Sequence, residues 1–428
     1  MNIMDIMDIK KRTIALGFGD GTQTVEIPEK NLLGIMEPNA VPAGLTGEAA
    51  VKYAVENPAG TARLSEIVKP GEKTVIITSD ITRPVPSYKI LPAALDELRL
   101  AGAAPEDVTV VFALGSHRKH TASEMEKLVG QNVYGRIACV DGDPLDCVRL
   151  GVTKLGTPVD ITRIVAEADR RICVGNIEYH YFAGYSGGAK AVMPGVSTKA
   201  AIQANHRHML HPGAAAGVLE GNPVRMDIEE AAGYCPIDFI VNVVLDERKE
   251  IIYAAAGHHI YAHREGCKFL DRIYRKEIAA PADIVIASQG GAPKDLNLYQ
   301  TQKALDNACR AVKRGGAVIL VGSCREGMGE EVFERWLTEA KTPQSLIERI
   351  GYDFRLGGHK AAAIALALET AGVYLVSEMP EKLVRDIFLE PFSTVQSALG
   401  AAFEKLGGGA SVLVMPFAGS TLPVLPYM

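Results

Sequence analysis

Long apolar runs are missing from this sequence. No stretch reaches the ~18 residues that a membrane span requires. The opening residues, MNIMDIMDIKKRT, set aspartates among their apolar positions and so lack the continuous apolar region of a secretory leader. A basic excess is missing too: 45 Lys and Arg stand against 51 Asp and Glu, a formal net charge of -6, which offers little to a phosphate backbone and argues against nucleic acid as a partner. The seven cysteines (Cys139, Cys147, Cys173, Cys235, Cys267, Cys309 and Cys324) form no C-x-x-C pair, so neither a zinc ribbon nor a dithiol redox motif is present. An odd, scattered set of this kind is expected as reduced, mostly buried thiols in a cytoplasmic protein. Solenoid repeats and low-complexity tracts are also absent.

What remains is globular. With 47% hydrophobic and 22% charged residues, the chain can bury large cores. Its 428 residues, at about 150 per domain, point to two or three domains, and two is the expectation.

Residues 11–28, KRTIALGFGDGTQTVEIP, alternate apolar and polar positions around Gly19-Asp20-Gly21, the pattern of a hairpin. Strands and helices then alternate: TVIITSD, a helix from about Ser87 to Ala101, VTVVFALG, a helix from about Ala122 to Val129, and RRICVGN. The alternation pauses at RKEIAAPAD (275–283) and restarts with ADIVIASQGG, a helix containing KALDNACRAVKR, then GGAVILVGS, AGVYLVSEM and ASVLVMPF. Such alternation predicts an α/β protein of two α/β domains with mainly parallel sheets, spanning 1–275 and 276–428. Polar residues cluster just past four of the strands. Because ligands of open parallel sheets bind at the strands' carboxyl ends, the site is expected there, in the cleft between the domains.

The segment H-Y-F-A-G-Y-S-G-G-A-K-A (180–191) brings glycines and one lysine together. It is not a phosphate-binding P-loop, since Ala189 and Ala191 flank Lys190 where that motif needs Gly and Ser or Thr. Gly184, Gly187 and Gly188 would let backbone approach a flat ligand, with Lys190 as the reactive or charged group. The alternative is a flexible loop with a solvated lysine. His117 and His180 each follow a strand, where a general acid or base would face a crevice, and His120 competes with His117. His206, His208 and His211 have no i, i+4 pair to make a helical chelate, so one of them can be at most a single ligand to a metal held mainly from elsewhere; a polar helix end is the other reading. Asp80 suits ribose hydroxyls and Arg83 a phosphate or carboxylate, or the two form an ion pair at the start of the following helix, with Pro84 pinning the turn. Gln300 and Lys303 share a helix face if a helix begins there.

Taken in order, D-I-T-R-P, A-L-G-S-H-R, E-Y-H-Y-F-A-G-Y-S-G-G-A-K, P-G-V-S and A-N-H resemble the nickel-dependent lactate racemase family over nearly the whole chain. The resemblance implies a 2-hydroxy-acid racemase or epimerase that works by reversible hydride transfer through a 2-keto acid. It also implies a nickel-pincer nucleotide attached through Lys190, His206 as the nickel ligand, and His117 and His180 as one acid/base for each enantiomer. By the same resemblance Asp80 and Arg83 contact the cofactor, Gln300 and Lys303 bind substrate, and cofactor-synthesis enzymes act as donors; an oligomer is compatible with it. A slip of two or five positions would move the ligand to His208 or His211. Two other functions fit parts of the pattern. A non-catalytic nickel or nucleotide-cofactor carrier would use Arg83, Lys190 and His206 and leave His117, His180, Gln300 and Lys303 idle. A Schiff-base enzyme would use Lys190 on a carbonyl and need no nickel.

Overall fold

The structure is a computed structural model that describes residues 10–426 apart from Ala43, Pro84 and Ser116. The first nine residues, which include most of the stretch read above as lacking a secretory leader, and Pro84 therefore lie outside the described residues. The chain divides into two compact units, Ala40–Ile273 and a second made of the segment up to Asn39 together with Tyr274 onward.

In the Ala40–Ile273 unit six strands lie in the order Ile251–Gly257, Phe239–Leu245, Arg170–Asn176, Thr74–Ser79, Val108–Ala113, Ala138–Asp141. All pairs are parallel except the first. The central strands are buried on both faces, which is why TVIITS and RRICVGN read as near-continuous apolar runs. Thr74–Ser79 leads on one side to Val108–Ala113 and Ala138–Asp141, while Arg170–Asn176 opens the other side. The strand order thus reverses between Thr74–Ser79 and Arg170–Asn176, whose carboxyl ends flank the switch point. Helices Ser87–Leu100 and Ala122–Val129 form where expected, the second opened by a capping box in which Thr121 accepts the Glu124 N–H.

The second unit holds an all-parallel sheet ordered Glu390–Phe392, Gly372–Val376, Val312–Val321, Ala282–Ser288, Val412–Met415, Leu32–Ile35. The expected contiguous 1–275 domain is corrected here. The hairpin strands Lys11–Phe18 and Gly21–Pro28 bury Ile14, Leu16, Val25 and Ile27 in one core with Ile284, Ile319 and Val414, and Leu32–Ile35 pairs with Val412–Met415. The amino-terminal segment therefore belongs to the unit that the rest of the chain completes last. The expected helix through KALDNACRAVKR is also shorter: it ends at Ala308, and Val312, Lys313 and Arg314 already belong to a strand. Among the described residues no helix is long and apolar enough to cross a membrane.

One buried acid in this unit makes its stability depend on pH. Asp306 Oδ2 is closed off from solvent without a hydrogen-bond partner, and burial raises the carboxyl pKa from 3.8 to about 6, although Gln302 Nε2 donates to Oδ1 at 2.7 Å. The folded chain then binds this proton more tightly than the unfolded one. The associated stability is complete below pH 3.8 and is lost as pH rises through about 6, to the extent of about 3 kcal/mol. Asp306→Asn is expected to be the more stable protein at pH 8 and to lose that advantage at pH 4, as urea titrations at the two pH values will measure.

Candidate active site

Three strand ends of the Ala40–Ile273 unit deliver the candidate residues. Thr74–Ser79 runs into Asp80 and Arg83, Val108–Ala113 into His117 and His120, and Arg170–Asn176 into the segment holding His180 and Lys190. Asp80 is not a helix cap. Its carboxylate, 3% exposed, accepts His117 Nδ1–H at 2.6 Å, and the Thr82 hydroxyl reaches both carboxylate oxygens at 2.9 and 3.1 Å. Burial alone would raise this acid; the bond to His117, with help from its charge, from Thr82 and from Arg83, holds it below the usual carboxylate range. An ionised Asp80 fixes the His117 proton on Nδ1 and leaves the Nε2 lone pair on a side chain that is 43% exposed.

His120 has a different environment. Its side chain is 1% exposed, Nδ1 bonds Asp141 Oδ1 at 2.6 Å, and Nε2 accepts the Ile81 N–H at 3.0 Å. Both ring nitrogens are committed, so His117 is the one of the two that can exchange a proton with a ligand.

Packing alone requires glycine at positions 184 and 188. Gly184 has φ +77°, and a Cβ there would lie 2.1 Å from the Val218 carbonyl oxygen; at Gly188, φ +59°, it would meet the His263 ring at 3.0 Å. The loop is held by groups the sequence did not single out. Arg225, fully enclosed in helix Pro223–Tyr234, donates to the carbonyls of Ala183 (3.2 Å), Tyr185 and Gly187 (3.5 Å). Asn242 Oδ1 accepts the Gly188 N–H at 2.8 Å, His263 Nε2 donates to the Ser186 carbonyl at 2.8 Å, and the hydroxyls of Tyr179 and Tyr185 both donate to Asp271 at 2.8 Å. Lys190 therefore stands on a rigid support and not on a flexible loop.

Burial, reinforced by the charges of Arg225 and Arg83, drives the Lys190 pKa well below the usual lysine range, and Glu178 opposes this only in part. A half-buried amine of this kind is a nucleophile. His180 is pushed down by burial, then by Lys190, Arg83, His206 and Arg225, so these five groups lie within electrostatic reach of one another. Its Nδ1 accepts the Ala183 N–H at 3.2 Å, which places the proton of the neutral ring on Nε2.

His206 ends helix Lys199–His206 and is 6% exposed; its ring packs edge-on against Phe182 at 4.8 Å, and Phe182 packs likewise against His180 at 4.5 Å. Asn205 Nδ2 donates to Val224 O and Asp227 Oδ2, so its amide oxygen, 3.1 Å away, takes the His206 Nδ1–H and fixes the ring's tautomer. His211 is exposed and its Nδ1 accepts the Gly213 N–H within its own turn at 3.0 Å. Of the three histidines, His206 is the one placed beside His180. Among the described residues no cluster of three or more His, Cys, Asp or Glu side chains can hold a metal ion alone.

Gln300 and Lys303 belong to the second unit. Helix Leu298–Ala308 does begin where required, with Asn297 accepting the Gln300 N–H at 3.0 Å, and the two side chains lie three residues apart on one face. Gln289 Nε2 bonds the Gln300 carbonyl at 3.0 Å. Buried Lys360 donates to the Tyr299 carbonyl and lies 4.0 Å over the Tyr299 ring, so the first turn is anchored from two directions.

Comparison with known proteins identifies the family. Residues 18–217 match the lactate racemase N-terminal domain and 278–422 the lactate racemase C-terminal domain. The chain is 35% identical to the lactate racemase of Thermoanaerobacterium thermosaccharolyticum over 94% of its own length and 97% of that protein's. It is 33% identical to the Lactiplantibacillus plantarum lactate racemase with the same coverage. The solved lactate racemase apoprotein from T. thermosaccharolyticum superposes with a TM-score of 0.91 at 34% identity, covering 96% of this chain and 100% of that one. A Thermotoga maritima protein structure, 18% identical with a TM-score of 0.63 over 90% of this chain and all of that one, shares the fold. Two domain matches that together take in most of the sequence, and relatives aligned nearly end to end, show that the chain is an isomerase of the lactate racemase family.

Proposed function

We propose that the protein interconverts the enantiomers of a 2-hydroxy acid of the lactate type through a 2-keto acid, with a nickel-pincer nucleotide as its cofactor. The observation that carries the reading is the grouping of a charge-suppressed lysine, two imidazoles and two guanidinium groups, Lys190 with His180, His206, Arg83 and Arg225. The donor set suits the group. For a covalent link Lys190 offers an amine whose charged form burial disfavours, Arg83 offers a fork for the phosphate, and His206 a single imidazole fixed at Nδ1, which is all that a metal bringing its other ligands with it requires. When bound there, the cofactor would supply an electrophilic centre for reversible hydride transfer at Cα.

The side chains then handle protons and orientation. With its Nδ1–H held by Asp80, His117 takes the substrate hydroxyl proton at Nε2 as the C–H bond breaks. His180 serves the opposite enantiomer. Taking a proton at Nε2 requires its ring to carry hydrogen on Nδ1, which means giving up the Ala183 N–H, a single 3.2 Å contact. Lys303 pairs with the substrate carboxylate and Gln300 donates beside it. A carrier that never turns over would have no use for an Asp–His pair with an open Nε2.

Protein produced together with the cofactor-synthesis enzymes is expected to show nickel and a cofactor mass increment in intact-mass measurements. It should racemise at least one of lactate, malate or a larger 2-hydroxy acid offered as a single enantiomer. Lys190→Ala is expected to fold and to lose the increment. Interconversion by nickel-free protein, or none by loaded protein with any of these acids, overturns the reading.

A further inference from the structure

Two Asp–His pairs stand next to each other at the strand ends, and only one faces outward. The inner pair joins His120 Nδ1 to Asp141 Oδ1 at 2.6 Å, with the second carboxylate oxygen accepting the His120 backbone N–H at 2.9 Å. His120 Nε2 in turn accepts the N–H of Ile81 at 3.0 Å. Ile81 directly follows Asp80, whose carboxylate holds His117 at 2.6 Å. By taking the Nδ1 proton, Asp141 leaves Nε2 as the acceptor the Ile81 N–H needs.

If the site asked only for volume, an apolar side chain packed on Phe112, whose ring lies 5.0 Å from that of His120, would fill it without the cost of burying an imidazole and a carboxylate. What the polar pair adds is a fixed backbone at the strand exit, where the chain leaves its ladder and turns, with Arg83 N–H bonding the Asp80 carbonyl at 3.1 Å. We propose that His120, held by Asp141, is a positioning residue for the reaction: it pins the Asp80–Ile81 backbone and so aims the Asp80 carboxylate at His117 Nδ1. The inference rests on the reading of His117 as a base, so its first test involves no turnover.

In the full chain labelled with 15N-histidine, two-bond 1H–15N correlation spectra report which ring nitrogen of His117 carries the proton, the signal being assigned with His117→Gln. The parent is expected to hold it on Nδ1. In Asp141→Asn and His120→Leu a share of the Nε2–H form should appear for His117, while His206, held by Asn205, stays unchanged. In cofactor-loaded protein the same variants should lose about 10- to 100-fold in kcat with KM nearly unchanged. His120→Gln, whose amide oxygen still accepts from Ile81, should recover to within about threefold of the parent. A parent-like His117 tautomer in folded Asp141→Asn and His120→Leu overturns the proposal, and so does failure of all three variants to fold. A shifted tautomer with unchanged turnover instead sustains the coupling and overturns the assignment of His117 as the base.

Discussion

Replacing His117 with alanine is expected to slow enantiomer interconversion by about 10²- to 10⁴-fold, the usual loss when a positioned base is removed. The expectation follows from the Asp80 bond, which leaves His117 with its proton on Nδ1 and a lone pair on its exposed nitrogen. Asp80→Asn should also reduce turnover, because the imidazolium formed on proton transfer loses its counter-charge. In the double variant the asparagine should cost little beyond the alanine, since the two side chains act as one device. Chiral chromatography of lactate incubated with each loaded variant measures all three. Additive losses would mean that Asp80 acts on the cofactor alone.

The second large effect concerns Arg225. Arg225→Met removes the donors to the carbonyls of Ala183, Tyr185 and Gly187 and strands them in the interior. Burial lowers the arginine's pKa only to about 10, so the guanidinium is charged at neutral pH and its bonds are charge-assisted. Breaking such a buried set costs about 3–5 kcal/mol, which for a unit of this size is a fall of roughly 10 °C in Tm. Calorimetry reads the fall. Limited proteolysis should place the new cleavage between residues 183 and 191, and cleavage elsewhere would show that Arg225 does not support the loop.

The strands that carry the chemistry were legible because two-sided burial writes itself as apolar runs, and polar residues directly after such runs mark the sheet's carboxyl edge. Thr74–Ser79 and Arg170–Asn176 read that way, and so did the hairpin, where Gly19 with φ +54° makes the turn. What pattern could not convey was partnership at long range. Ile14 and Leu16 announce a buried face without saying whose core it joins, so the hairpin was assigned to the wrong unit.

The same limit applied to the site. Asn222 and Pro223 give a helix start in N-P-V-R, but nothing local shows that the arginine two residues into that helix lies beneath a loop some 40 residues earlier. His117 and His120 are equivalent by spacing, and only the positions of Asp80 and Asp141 separate them. Nor does spacing show that Gly184 and Gly188 are required by Val218 and His263.

Pairing of Leu32–Ile35 with Val412–Met415 sets the order in which the chain can be assembled on the ribosome. The Ala40–Ile273 unit has all its residues once its last helix emerges, whereas the hairpin's apolar face must wait, at roughly 5–20 residues per second, for strands made tens of seconds later. During that interval Ile14, Leu16, Val25 and Ile27 lack the core they will join. Nascent chains stalled before residue 412 should therefore engage a holdase chaperone through the hairpin, while the middle unit is already protease-resistant.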